Sequence, residues 1–139
     1  MAVLNRWQNA PRPVRVVATA GVVVLTYGTV VHLAQLVSSG LDPYPDLPGH
    51  LRTYFVALTI LDPLAAVLLA RRTRRGVVLA VVVLVSDAIA NGWANYVLDP
   101  AVGVTVGRVG QAVITMLAVA ACAFGPQLWR AAAPPGSLR

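Results

Sequence analysis

Four apolar blocks, each about 20 residues long, dominate the chain and leave it very few folds. They cover about 14–37, 50–70, 76–98 and 105–129. Buried strands could also read as unbroken apolar runs, but strands span only about 4–8 residues. Blocks of about 20 residues match a helix crossing a hydrocarbon core roughly 30 Å thick. Without water to satisfy the backbone, such blocks must be helical. The expected fold is therefore all-α: an integral membrane four-helix antiparallel bundle in one domain, followed by a disordered tail over 130–139. Charged residues make up only 12% of the chain and hydrophobic residues 58%. A water-soluble domain carries roughly twice that charge.

All eleven basic residues are arginines, giving a net charge of +6. A nucleic-acid surface would interleave such charge with aromatic residues along one face. Here the arginines collect at the ends of the apolar blocks, which excludes a nucleic-acid partner and makes them a topology signal. Arg6, Arg12 and Arg15 precede the first block, Arg71, Arg72, Arg74 and Arg75 join the second to the third, and Arg130 and Arg139 follow the fourth. Only Arg52 and Arg108 fall on the other side, beside Asp42, Asp46 and Asp99. Nine against two places both termini in the cytoplasm by the positive-inside rule. Trp7, Trp129, Tyr44 and Tyr96 then fall at the expected membrane interfaces. The absence of Lys and Glu, with abundant Ala, Val and Arg, suggests a bacterial chain from a GC-rich genome, and so the bacterial inner membrane.

The first block follows three arginines and could pass for a secretory signal. Its apolar stretch of 22 residues over 16–37 exceeds the roughly 7–15 of a signal core, so an uncleaved helix is expected. The lone Cys122 excludes an intramolecular disulfide and a CxxC pair. It lies in the inner half of the fourth block, where packing is its expected role.

The chemistry lies in polar residues inside the blocks. Asp62 and Asp87 fall roughly 15 Å below a membrane surface at 1.5 Å rise per residue, too deep for a short side chain to reach water. Each needs a partner or a purpose there. Asp87, Asn91 and Asn95 follow one another at i, i+4 and i+8 and form a stripe on one helix face. Thr59 and Asp62 share a face with Phe55, with Tyr54 nearer the outer end. Gly28, His32 and Gln35 share another, and Arg108, Gln111 and Thr115 a fourth. One polar stripe per helix implies a common pocket that starts near the midplane and opens outward or sideways. Pro63 lacks a backbone donor and crowds the Thr59 carbonyl, so a kink is expected there.

Two facing carboxyls in the membrane should share one proton, leaving one acid and one base. Asp62 and Asp87 are the candidate catalytic pair. His32, Gln35, Tyr54, Thr59, Asn91, Asn95, Arg108 and Gln111 are the candidate substrate-binding residues. No His or carboxylate spacing supports a metal, and no cofactor is expected. The corresponding function is a small enzyme acting on a lipidic or isoprenoid substrate: an isomerase, a cyclase or an epoxide hydrolase. A proton-coupled carrier or lipid-binding protein is the alternative; four helices are too few for an alternating-access pore, so it would act as a homo-oligomer. In a third reading the stripes are interhelical glue, worth about 0.6–2 kcal/mol per bond, in an accessory subunit of a larger membrane complex. The layout of four apolar helices holding buried acids resembles that of the small four-helix sterol-isomerase and sigma-2-like membrane proteins. That resemblance implies a lipid-accessible pocket and extends to no individual residue.

Overall fold

The structure, a computed structural model, describes residues 6–40 and 43–132. Asp42 and most of the tail expected to be disordered (133–139) lie outside them. The described residues are helical with no strand: α1 Arg12–Ser39, α2 Gly49–Ala70, α3 Arg74–Trp93, a π-helical turn Ala94–Leu98, α4 Val106–Ala123 and α5 Gly125–Ala131. Four stretches, Arg12–Ser39, Gly49–Ala70, Arg74–Leu98 and Val106–Ala123, are long and apolar enough to cross a membrane.

Local chemistry sets the ends. Pro11 and Pro13 open α1, where a missing N–H costs nothing. Gly40, at φ +63°, closes it in a conformation costly for residues with a Cβ. Thr73 caps α3 by accepting from the Gly76 amide at 3.0 Å, so α3 begins two residues before its apolar run. Gly76 is needed at this corner because a Cβ there would overlap the Leu68 carbonyl. Helix α2 continues through Pro63 to Ala70. The last turn of the third span widens to π geometry. There Asn95 Nδ2 donates to the Asn91 carbonyl at 2.9 Å, and the Asn95 carbonyl accepts from Arg108 Nε at 3.2 Å. Side-chain donors thus occupy carbonyls in the turn where the helical ladder changes.

The fourth block is not one helix. It breaks at Phe124 (φ −93°, ψ 0°) and resumes as α5. Pro126 explains the break, since it has no N–H to donate to the Cys122 carbonyl four residues back and its ring crowds that carbonyl. Helix α5 extends to Ala131, so the first two residues of the expected tail are helical.

Helices adjacent in sequence pack on one another, and α1 also meets α4. At the basic end three segments are bound together. Trp7 is 0% exposed and donates from Nε1 to the Leu69 carbonyl at 3.1 Å. Arg72 lies over the Trp7 ring, donates from Nη1 to the Arg6 carbonyl at 2.9 Å, and donates from Nε to the Ala131 carbonyl. Trp7 is therefore a core residue, unlike its expected interfacial place. An indole that buries its body and finds a carbonyl for its N–H is as well satisfied there as at an interface.

Between 17% and 33% of each apolar span is buried inside the chain. The outward faces are apolar, with Val23, Ile60, Ile89 and Val119 all more than half exposed. Such a surface suits hydrocarbon solvent, since soluble monomers rarely expose large contiguous apolar patches. Cys122 is also exposed on α4 rather than packed inside.

Candidate functional site

All four long helices contribute to one cavity of about 250 Å³. Its polar lining comes from His32, Asp62, Asp87 and Asn91, and its apolar walls include Val24, Val31, Leu84, Val113 and Ile114. Of the ten candidate residues, these four polar ones come together.

Gly28 makes the arrangement possible. A Cβ there would strike Asp62 Oδ2, so the bare α1 backbone leaves room for the carboxyl of α2. Asp62 is 4% exposed. One helical turn beyond Gly28, on the same face of α1, His32 points its Nε2 at Asp62 Oδ2, 4.0 Å away. The imidazole stacks on Phe55 with ring centres 5.9 Å apart. Across the cavity, Asp87 Oδ1 accepts from Asn91 Nδ2 at 2.7 Å. The i, i+4 spacing thus holds one carboxyl oxygen of a residue that lines the cavity.

Tyr44, expected only as an interfacial aromatic, belongs to this site. Its hydroxyl is 2.7 Å from His32 Nδ1 and donates to Gln35 Oε1. Its ring packs on Phe55, with centres 5.3 Å apart. Tyr44 adopts φ +62°, unusual for a bulky residue, between Pro43 and Pro45. Arg52 fastens this loop by donating from Nη2 to the Pro45 carbonyl at 3.1 Å. Backbone strain of this kind persists only where surrounding contacts enforce it. Burial pushes the Tyr44 phenol up to about 12, helped by the negative charge of Asp87. In sequence, a tyrosine between prolines gives no sign that it folds back over a buried histidine.

The other six candidates serve elsewhere. Gln35 supports Tyr44. Tyr54 pairs with Ser86 at 2.8 Å and lies behind Phe55, edge to face. Thr59 Oγ1 donates to the Val56 carbonyl in its own helix. Asn95 fits against Gly107, where a Cβ would collide with its Oδ1. Arg108 gives its donors to the carbonyls of Asn95, Ala101 and Gly103 and covers Tyr96, so it secures the α3–α4 link. Gln111 ties α4 to α3 by donating to the Ala88 carbonyl at 2.8 Å, and it also donates to Thr115 Oγ1. These six side chains thus tie helices and links to one another or to their own helix, while His32, Asp62, Asp87 and Asn91 line the cavity. Compared with known proteins, the chain matches no family model, no curated protein and no solved structure.

Proposed function

We propose that the chain is an antiparallel four-helix bundle of the bacterial inner membrane, with both termini in the cytoplasm, and that its cavity is the acid–base site of an enzyme acting on a lipid-soluble, isoprenoid-like substrate. The observation that carries this reading is the shared cavity, where Asp62, Asp87, His32 and Asn91 form the polar end of an otherwise apolar chamber. An apolar substrate would be held by the walls, with its reactive group among the carboxyls. One carboxyl gives a proton to the substrate while the other removes one, so the cavity gains no net charge in a low-dielectric setting. Asp87, held by Asn91, suits the base. Asp62, facing His32, suits the acid, and the cycle closes when the proton taken up by Asp87 returns to Asp62, a transfer that His32 Nε2 can carry by accepting it and passing it on. This chemistry serves an isomerase or a cyclase; with a water added, it serves an epoxide hydrolase.

The orientation is supported by the gathering of Arg6, Arg72 and the end of α5 at one end of the fold. The core between the cavity and that end is filled by Ala65, Leu69, Val77, Ala80 and Trp7. A filled inner half favours an enzyme over a carrier, which needs access from both sides.

The test compares lipid extracts of membranes carrying wild type, Asp62→Asn or Asp87→Asn. A lipid species altered by the wild type should change roughly 10²–10⁴-fold more slowly in either variant, the usual size of a general acid or base contribution. Folded variants that both leave the lipid profile as the wild type does would refute the catalytic reading.

A further inference from the structure

A second site lies at the basic end, outside the cavity. Arg75, Val78, Leu79 and Val82 follow one another at i, i+3, i+4 and i+7 along one face of α3. With Arg74 and Trp129 of α5 they line a groove of about 320 Å³. From Arg75 to Val82 the groove face rises roughly 10 Å, at 1.5 Å per residue. Val78 and Val82 are 49% and 56% exposed, and the Trp129 ring is also partly open. The groove is thus apolar along its length and cationic at its mouth.

Among the described residues, no anion pairs with the cations at that mouth. Arg74 lies over the Trp129 ring at 5.1 Å, and its Nε is buried with no hydrogen-bond partner among the described residues. The chain supplies no acid nearby in sequence: none lies between Asp62 and Asp87, and none follows Asp99. Both arginines also lie in the first turn of α3, where the helix dipole already presents positive charge. The combination of two arginines and an apolar channel matches an anionic lipid, whose phosphate and acyl chain are joined at that spacing. A basic pocket beside a membrane helix on the cytoplasmic side is a site of this type.

We propose that this groove binds one anionic phospholipid of the cytoplasmic leaflet, its phosphodiester held by Arg74 and Arg75 and its acyl chain lying along Val78, Val82 and Trp129. The site rests on the membrane orientation proposed above and is independent of the catalytic reading.

Trp129 reports occupancy directly, because brominated acyl chains quench an indole that they touch. The protein with Trp93→Phe is reconstituted in phosphatidylcholine vesicles containing dibrominated phosphatidylglycerol or, at equal mole fraction, dibrominated phosphatidylcholine. Trp7 is fully buried and gives a constant background. Dibrominated phosphatidylglycerol should quench more strongly, and this preference should fall roughly fivefold in Arg74→Gln and again in Arg75→Gln, given about 1 kcal/mol per basic residue near an anionic surface. Arg71→Gln, exposed on the same turn but outside the groove, should retain it. Equal quenching by the two lipids would overturn the proposal. So would an equal loss in Arg71→Gln, which would mean diffuse surface attraction. Arg75 is exposed, so its variant decides the matter even if Arg74→Gln fails to fold.

Discussion

The Tyr44 hydroxyl gives its proton to Gln35 Oε1 while standing 2.7 Å from His32 Nδ1. An amide oxygen has no proton to return, so the hydroxyl oxygen must accept from His32 Nδ1–H. Nε2, which faces Asp62, is then the nitrogen that gains and loses the proton. Neutral His32 should therefore be the Nδ1–H tautomer, readable from its ring ¹⁵N shifts, with His50 as an internal reference. In Tyr44→Phe the tautomer should shift toward Nε2–H. An Nε2–H tautomer in the wild type would refute this relay.

The same contact predicts a dependence on alkaline pH. Burial, then the charge of Asp87, raises the Tyr44 phenol from about 10 to about 12 in the folded protein. Between those values the unfolded chain has lost the proton that the folded chain keeps, so stability falls as pH rises. Below pH 10 both states keep it and this contribution is constant. The difference in phenolate absorbance between wild type and Tyr44→Phe should appear near pH 12. A difference centred near pH 10 would mean that the loop does not cover Tyr44.

Gly28→Ala separates cavity from fold. Its Cβ must displace Asp62 Oδ2, at an overpacking cost of about 1–3 kcal/mol. Replacing a helical glycine by alanine returns roughly 1 kcal/mol. The melting temperature should therefore drop modestly, while the Asp62–His32 pairing and turnover are lost. Gly110→Ala meets nothing within 4 Å and should melt no lower than wild type. Unchanged turnover in Gly28→Ala would show that Asp62 need not occupy this position.

The spans were legible because apolar length alone specifies them; the contacts at their ends were not. Thr73, Pro126 and Gly40 act through local backbone rules, yet Trp7 and Tyr44 act through partners 62 and 12 residues away. Helical periodicity correctly grouped Gly28 with His32 and Asp87 with Asn91. It could not tell Asn91, facing the cavity, from Asn95, tucked against Gly107, because both lie on the same stripe. Which turn of a stripe meets a neighbouring helix depends on the heights at which helices cross, and one sequence does not encode that visibly.

Orientation can be read with single cysteines. Cys122→Ala removes the one native thiol, and Pro45 and Arg71 are exposed at opposite ends of α2. In intact cells a membrane-impermeant maleimide should label Pro45→Cys and spare Arg71→Cys, with both labelled after permeabilisation. The reverse pattern would invert the proposed topology.

Trp7 should matter more to stability than its place before the first span suggests. It is fully buried, its N–H is satisfied by the Leu69 carbonyl, and Arg72 covers its ring. Trp7→Phe keeps most of the apolar body but loses the indole hydrogen bond to a carbonyl that still accepts from the Arg72 amide, at a cost of about 0.5–1.5 kcal/mol. Trp7→Ala also opens a cavity, at about 3–5 kcal/mol. Thermal unfolding in detergent should rank wild type above Trp7→Phe above Trp7→Ala. Trp129→Phe, at a half-open site, should lie close to wild type. If Trp7→Ala melts with the wild type, the N-terminal segment does not dock on α2, and the basic end is held by the α2–α3 corner and α5 alone.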